Sequence, residues 1–242
     1  MLKVVFLGTK SVGLSCLKHL YLSQKILDFK LFGVLTDNKA SNDIVSFCDE
    51  KSIKVFKDLN DFLKNGECDI AISVQFNQIL KKKHIEKATK LFVNLHMAPL
   101  PDYRGCNQFS FALINNDPIF GTTLHVLDEG IDSGDILFEE RFTIPDKFWV
   151  SELYSLTVEK SIKLFKKSLP NLLSGDYSRR KQSSYSDRKK SFHLRKEINE
   201  IKRLDLSWSY EKIARYVRAT SMPGFEPPYF VIEGKKFFIT IE

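Results

Sequence analysis

Short apolar runs alternate along the chain with stretches in which apolar residues recur every three or four positions. Residues 2–7 are β-branched and apolar, which predicts a buried strand. Gly8 to Gly13 then reads as a tight turn, and Leu14, Leu17 and Leu20 fall at helical spacing. The same reading gives strands over 31–36, 53–56 and 69–74, and helices over 41–51, with Ser41 as N-cap, and over 59–64. Such strand–helix alternation predicts a parallel sheet with right-handed crossovers. Residues 81–90 read as a charged helix and 91–95 as another buried strand. Residues 107–115 form a helix with Phe109, Ala112 and Leu113 inward, and 120–127 and 136–144 look like paired strands. A long helix over 151–173 carries the stripe Leu153, Leu156, Ile162, Phe165, Leu169 and Leu172, with Pro170 marking a bend or end. A helix over 209–220 turns Ile213, Tyr216 and Val217 inward, and a hairpin pairs 229–232 with 235–241 around Glu233-Gly234. The expectation is an α/β fold: a mostly parallel sheet with helices on both faces, plus a small C-terminal helix and β-hairpin. The main domain spans 1–177, a basic connector 178–204, and the small C-terminal unit 205–242.

Candidate chemistry gathers between Phe92 and Gly134. Asn94 and His96 stand two apart at the end of an expected strand, so their side chains share a face. Pro99 and Pro101 then stop the pairing and force an extended exit. In open α/β sheets the carboxyl ends of strands border the ligand crevice. The Asn amide can donate to a developing oxyanion, and the His can take or give a proton near neutral pH. Asp132, in Gly130-Ile-Asp-Ser-Gly134, is the best candidate for a carboxylate behind the ring. Taken singly, His96 reads as a core histidine, Asn94 as a strand-end cap and Asp132 as a turn former. Together they point to catalysis. No nucleophile lies between Asn94 and His96, so direct transfer to an incoming amine fits better than a covalent acyl-enzyme. His125 reads as structural.

Composition narrows the partners. The 242 residues carry a formal net charge of +7, which favours anionic ligands. Ten Lys and Arg residues lie between 178 and 203, a run that reads first as a solvated connector. It brings no aromatic platform or amphipathic stripe for nucleic acid or membrane. Cys16, Cys48, Cys68 and Cys106 show no metal spacing, so no metal is expected, and reduced thiols in a cytoplasmic protein are. No apolar run approaches the length of a membrane span. The Gly8–Gly13 turn fits neither the phosphate-loop pattern nor GxGxxG. Lys10 or Ser11 could still line the substrate side of the crevice.

The segments Asn94-Leu-His96, Leu100-Pro-Asp-Tyr103-Arg104-Gly105 and Gly130-Ile-Asp132-Ser-Gly-Asp135 resemble the formyltransferase family that uses 10-formyltetrahydrofolate. The finer spelling, His96-Met-Ala-Pro through Phe109 with Phe120-Gly-Thr-Thr-Leu-His125, is similar to its sugar N-formyltransferase branch. The resemblance implies a Rossmann-like catalytic domain and a direct amine attack served by Asn94, His96 and Asp132. It implies that Phe76, Asn77, Gln78, Ile79 and Leu80, with Leu100, Asp128 and Gly130, hold the folate. On the substrate side the candidates are Lys10, Ser11, Gln75, Tyr103, Arg104, Asn107 and Gln108. Arg104 either pairs with a phosphate or braces its loop. Met222, Phe225 and Tyr229 either stack on a base or pack the hairpin. The acceptor it suggests is a nucleotide-linked amino sugar, thymidine-diphosphate 4-amino-4,6-dideoxyglucose in particular. A homodimer through the hairpin is also expected, since its edge is open. Two competing readings remain: a methionyl-tRNA formyltransferase, and an RNA-binding protein using the basic cluster.

Overall fold

The computed structural model describes residues 1–37 and 42–240. In chain order its elements are β1 (Leu2–Gly8), α1 (Lys10–Ser23), β2 (Phe29–Leu35), α2 (Asn42–Glu50), β3 (Val55–Phe56), α3 (Leu59–Asn65), β4 (Cys68–Val74), α4 (Lys82–Ile85) and β5 (Ala88–His96). They continue with β6 (Arg104–Gly105), α5 (Gln108–Ile114), β7 (Ile119–Val126), β8 (Ile136–Thr143), α6 (Val150–Ser174), β9 (Phe192–His193), α7 (Ile198–Ile201), α8 (Tyr210–Thr220), β10 (Tyr229–Ile232) and β11 (Lys235–Phe238). The main sheet runs β3-β2-β1-β4-β5-β7-β8. Its first five strands are parallel, and β7 and β8 complete it antiparallel.

The apolar run of β1 explains why the sheet is covered twice. Val4 to Leu7 are wholly buried, and successive side chains point to opposite faces. Val4 and Phe6 pack with Cys16, Leu17 and Leu20 of α1 and Phe165 and Leu169 of α6. Val5 and Leu7 pack on the other face with Phe56, and with Phe62 of α3. From β1 the chain moves outward to β2 and β3, then crosses to β4 on the other side. That reversal opens a crevice at the carboxyl ends of β1 and β4, with β5 ending beside it.

Several boundaries differ from the sequence reading. Gly13 N–H bonds to the Thr9 carbonyl at 3.2 Å, so Lys10 to Gly13 is the first turn of α1 rather than a free loop. Within 81–90 only Lys82–Ile85 is helical. Ala88 pairs in register with Cys68, and the sheet ladder overrides local helix propensity. Pro170 stays inside α6, which runs to Ser174 and closes on Gly175 at φ 81°. Expected boundaries at Ser41 and Ile241 lie outside the described residues.

The basic segment after α6 runs as a strap along the main unit, with most of its cations exposed. Arg180 and Ile136 exchange backbone hydrogen bonds of 2.8 and 2.9 Å. Arg188 forks onto Glu139 at 2.8 and 3.0 Å and donates to the Leu100 carbonyl, while Lys189 binds Asp117. β9 pairs with β6, and the His193 ring stacks on Phe111 with centroids 3.6 Å apart. Two of its cations, Arg188 and Lys189, are matched to carboxylates distant in sequence, which composition alone does not reveal. The C-terminal unit attaches through Ala219, which packs with Ala112 and Leu113 of α5, and through Leu204 N–H to the Tyr229 carbonyl at 2.7 Å. Glu233 (φ 47°) and Gly234 (φ 76°) make the tight turn between β10 and β11.

Candidate active site

Three side chains converge where β5 ends. The register pairs Asn94 with His125 of β7, so the two share a face, and Asn94 Nδ2 lies 3.2 Å from His125 Nε2. His96, two residues on, presents Nδ1 to Asp132 Oδ2 at 3.6 Å, and His125 Nε2 stands 3.6 Å from Asp132 Oδ1. Asp132 sits in a left-handed turn at φ 50°. Its carboxylate accepts the Gly105 N–H at 3.0 Å. Its carbonyl and that of Gly134 accept the Gln182 amide at 2.7 and 2.9 Å. A Cβ on Gly134 would lie 1.9 Å from the Val126 carbonyl, so only glycine permits this approach of loop to strand.

Hydrogen-bond partners assign the tautomers. His125 Nδ1 is 2.8 Å from the Val126 carbonyl and therefore carries a proton, while Nε2 faces both the Asn94 amide and the Asp132 carboxylate. His96 Nε2 donates to the Tyr103 carbonyl at 3.0 Å, so Nδ1 faces the carboxylate. Both nitrogens of His96 are thus engaged by protein groups. Burial is the largest influence on Asp132 and opposes its ionisation. The combined pull of His96, His125 and the Gly105 N–H outweighs it and holds the carboxyl well below its usual range. Asp132 is a secured anion, partly exposed, beside an amide whose second proton has no protein acceptor among the described residues.

The remaining sequence-predicted residues fall into three groups. Lys10 and Ser11 are exposed where α1 leaves β1, and Gln75, left-handed at φ 53°, accepts the Thr9 hydroxyl across the crevice. Phe76 and Leu80 are half-buried, Gln78 and Ile79 exposed, and Asn77 donates to Asp37 at 2.7 Å. Asp128 is exposed and accepts from Gly130 N–H and Ser133 hydroxyl, bracing the loop that carries Asp132. Arg104 is half-buried and lines a cavity, and Gln108 opens α5.

Others are committed elsewhere. Leu100 has no exposed surface. The Tyr103 side chain is buried and its hydroxyl is held by Asp117 and Asn115, so it cannot face a substrate; burial also pushes its pKa up. Asn107 donates to the Leu194 and Arg195 carbonyls and ties down the strap. Met222 packs against the cluster of Tyr103 and Phe120, and Tyr229 is buried beneath Phe238, while Phe225 is exposed. Polar side chains that look ligand-directed in sequence have here found partners across long separations.

Two residues that touch this cluster are not singled out by sequence reasoning. His125, read as structural, stands beside Asn94 and Asp132, and only the β5–β7 register places it there. Gln182 has no local signal, because its partners lie about fifty residues away.

A crevice at a topological switch, with an amide, an imidazole and an ionised carboxylate converging at a strand end, defines a group-transfer site on a Rossmann-like scaffold. The formyl transferase family model matches residues 33–169, and the chain belongs to that family. It is 28% identical over 181 residues to a GDP-perosamine N-formyltransferase of Brucella melitensis, covering 74% of this chain and 67% of that protein. It is 26% identical over 234 residues to a methionyl-tRNA formyltransferase of Clostridium perfringens, covering 90% and 73%. Its fold matches a 4-N formyltransferase from Francisella tularensis (TM-score 0.83, 24% identity, 100% and 97% covered). It also matches an N-formyltransferase from Helicobacter canadensis in complex with folinic acid and dTDP-3-aminofucose (TM-score 0.77, 23% identity, 98% and 86% covered).

Proposed function

We propose that the protein transfers a formyl group from 10-formyltetrahydrofolate to the amine of a nucleotide-linked amino sugar. The observation that carries this reading is the convergence of Asn94, His96 and Asp132 at the carboxyl end of β5. The amine lone pair forms the new C–N bond, and the carbonyl electrons move onto oxygen. Collapse then breaks the bond from carbon to N10 of the folate, and the amine proton ends on N10. One Asn94 N–H is directed at His125, and the other is placed to donate to the developing oxyanion. A carboxylate as strongly ionised as Asp132 is a weak base. Its first task is to stabilise positive charge on the attacking nitrogen before the proton passes on. His96 acts by holding Asp132 and the Tyr103 carbonyl rather than by touching the oxyanion.

The donor fits the rim after β4. Phe76 and Leu80 provide half-buried apolar walls, and Ile79 is 85% exposed. The backbone amides of residues 76–80 make no hydrogen bond among the described residues, which leaves them open to the edge of a flat heterocycle. Asp128 and Gly130 shape the facing loop. Among acceptors, thymidine-diphosphate 4-amino-4,6-dideoxyglucose is the first to test, and the Brucella relative's name adds a GDP-linked sugar. The same reading makes the protein cytoplasmic. It also makes it a homodimer through β10 and β11, whose Ile232, Phe237 and Phe238 are 44–47% exposed.

The test is incubation with 10-formyltetrahydrofolate and a panel of nucleotide-linked 3- and 4-amino sugars, with methionyl-tRNA as a separate arm, read by product mass. Formylation of a sugar amine supports the reading. Formylation of methionyl-tRNA alone transfers the site to the competing acceptor.

A further inference from the structure

Two backbone groups orient side chains of the proposed site, and both come from residues 103–105. The Tyr103 carbonyl accepts from His96 Nε2 at 3.0 Å, and the Gly105 N–H donates to Asp132 Oδ2 at 3.0 Å. Tyr103 and Gly105 are both left-handed, at φ 59° and 86°. A bulky residue keeps that conformation only where its surroundings impose it.

The strap imposes it here. Ser191 Oγ accepts the Tyr103 N–H at 2.8 Å, and the Ser191 carbonyl accepts the Arg104 N–H at 3.0 Å. The His193 carbonyl accepts the Cys106 N–H at 2.9 Å. Of the four N–H groups from 103 to 106, three are thus held by Ser191 and His193, and the fourth, from Gly105, is given to Asp132. A Cβ on Gly105 would lie 2.4 Å from the His193 carbonyl, so the two segments approach as closely as glycine allows. His193 is anchored in turn by its ring. It stacks on Phe111 of α5 with centroids 3.6 Å apart and planes 12° apart, and Nδ1 donates to Glu197 at 3.0 Å. Nε2 is buried and makes no hydrogen bond, so the ring is placed by its faces and by Nδ1.

We infer that Ser191 and His193 are positioning residues for the proposed transfer: they hold residues 103–105 so that one backbone carbonyl orients His96 and one backbone N–H orients Asp132. Gln182 grips the backbone of the Asp132 turn, whereas this hook sets the Asp132 carboxylate and the His96 ring together. Its effect on charge follows. With His96 and His125, the Gly105 N–H keeps Asp132 ionised, and displacing it raises the carboxyl toward the ordinary range.

The test is a double-mutant cycle in urea unfolding near neutral pH, with Ser191→Ala or His193→Ala crossed against Asp132→Asn. No hydrogen bond or ion pair joins Ser191 or His193 to Asp132 among the described residues, and such residues ordinarily contribute additively. Coupling through Gly105 predicts that Asp132→Asn costs less stability in either strap variant than in wild type. Strict additivity in both cycles overturns the inference. A kinetic arm rests on formyl transfer being the reaction at this site. Each strap variant should lower kcat about tenfold and leave KM for the folate within about twofold. His193→Phe, which keeps a ring face against Phe111, should recover most of that loss. Lys196→Ala, exposed on the same strap, should match wild type. A His193→Phe protein as slow as His193→Ala overturns the assignment of His193, and unchanged kcat in both alanine variants overturns the whole. A chain that shows the coupling but formylates no nucleotide sugar keeps the positioning residues and loses the acceptor.

Discussion

Gln182 donates its side-chain amide to the carbonyl of Asp132 at 2.7 Å, across fifty residues of chain. A second bond to Gly134 at 2.9 Å makes the contact a clamp on the left-handed turn that carries the carboxylate. The strap therefore sets where Asp132 points, and the geometry of the proposed site depends on residues well beyond Asn94, His96 and Asp132. Gln182→Glu would set a carboxylate against two carbonyl oxygens. It should lower kcat more than about tenfold while leaving KM for the folate little changed, in a steady-state comparison with wild type.

In the proposed mechanism Asn94 donates to the oxyanion. Asn94→Ala should reduce kcat/KM by about 10²–10³-fold, the usual loss for one oxyanion donor. The side chain is partly exposed at the strand end, so thermal unfolding should shift little. A variant that turns over near the wild-type rate would remove Asn94 from the mechanism.

Asp132 links activity to acid stability. Its folded pKa lies below the ordinary carboxylate value, so its ionised form adds stability that is present above the unfolded pKa and is lost as pH falls through the folded one. Asp132→Asn should therefore be less stable than wild type near neutrality, by about 2 kcal/mol. That gap should close toward acid pH. Urea unfolding at a series of pH values measures it, and a gap independent of pH would mean that Asp132 is not held ionised by His96 and His125.

Arg188 fastens the strap. Its two bonds to Glu139 are largely shielded from solvent, and removing one partner of such a pair costs about 3–5 kcal/mol. Arg188→Ala should lower the unfolding midpoint and speed proteolysis within residues 178–197. Unchanged cleavage kinetics would show that the backbone pairing of Arg180 and Phe192–His193 suffices alone.

The hairpin is the proposed dimer contact. Phe237→Glu places charge on an exposed apolar strand face and should convert a dimer to monomers in sedimentation equilibrium, with the tight Glu233-Gly234 turn intact. A wild-type protein that sediments as a monomer would dismiss this contact.

Much of the fold was legible because its signals are local. The run Val4 to Leu7 demands burial on two faces, and Glu233-Gly234 demands a left-handed turn. Asn94, His96 and Asp132 were legible because two of them share a strand face and the third sits among glycines. What stayed hidden depends on pairing at long range. His125 gains meaning only from the β5–β7 register, and Ala88–Lys90 became strand only because β4 was there to pair. The strap looked like solvated charge because nothing near it in sequence announces Glu139, Asp117 or the Asp132 carbonyl. Tyr103 and Asn107 looked ligand-directed for the same reason, since their partners lie elsewhere in the chain.

The most direct measurement follows a single turnover, with enzyme in excess over 10-formyltetrahydrofolate and a nucleotide-linked 4-amino sugar, and reads the product by mass. The wild type is expected to convert the sugar to one carrying a single formyl group on its amine, and Asn94→Ala and Asp132→Asn, still folded, to do so at least about a hundredfold more slowly. Formyl transfer at the wild-type rate by both variants, or no formylated sugar from any acceptor while methionyl-tRNA is formylated, would contradict the proposed transfer.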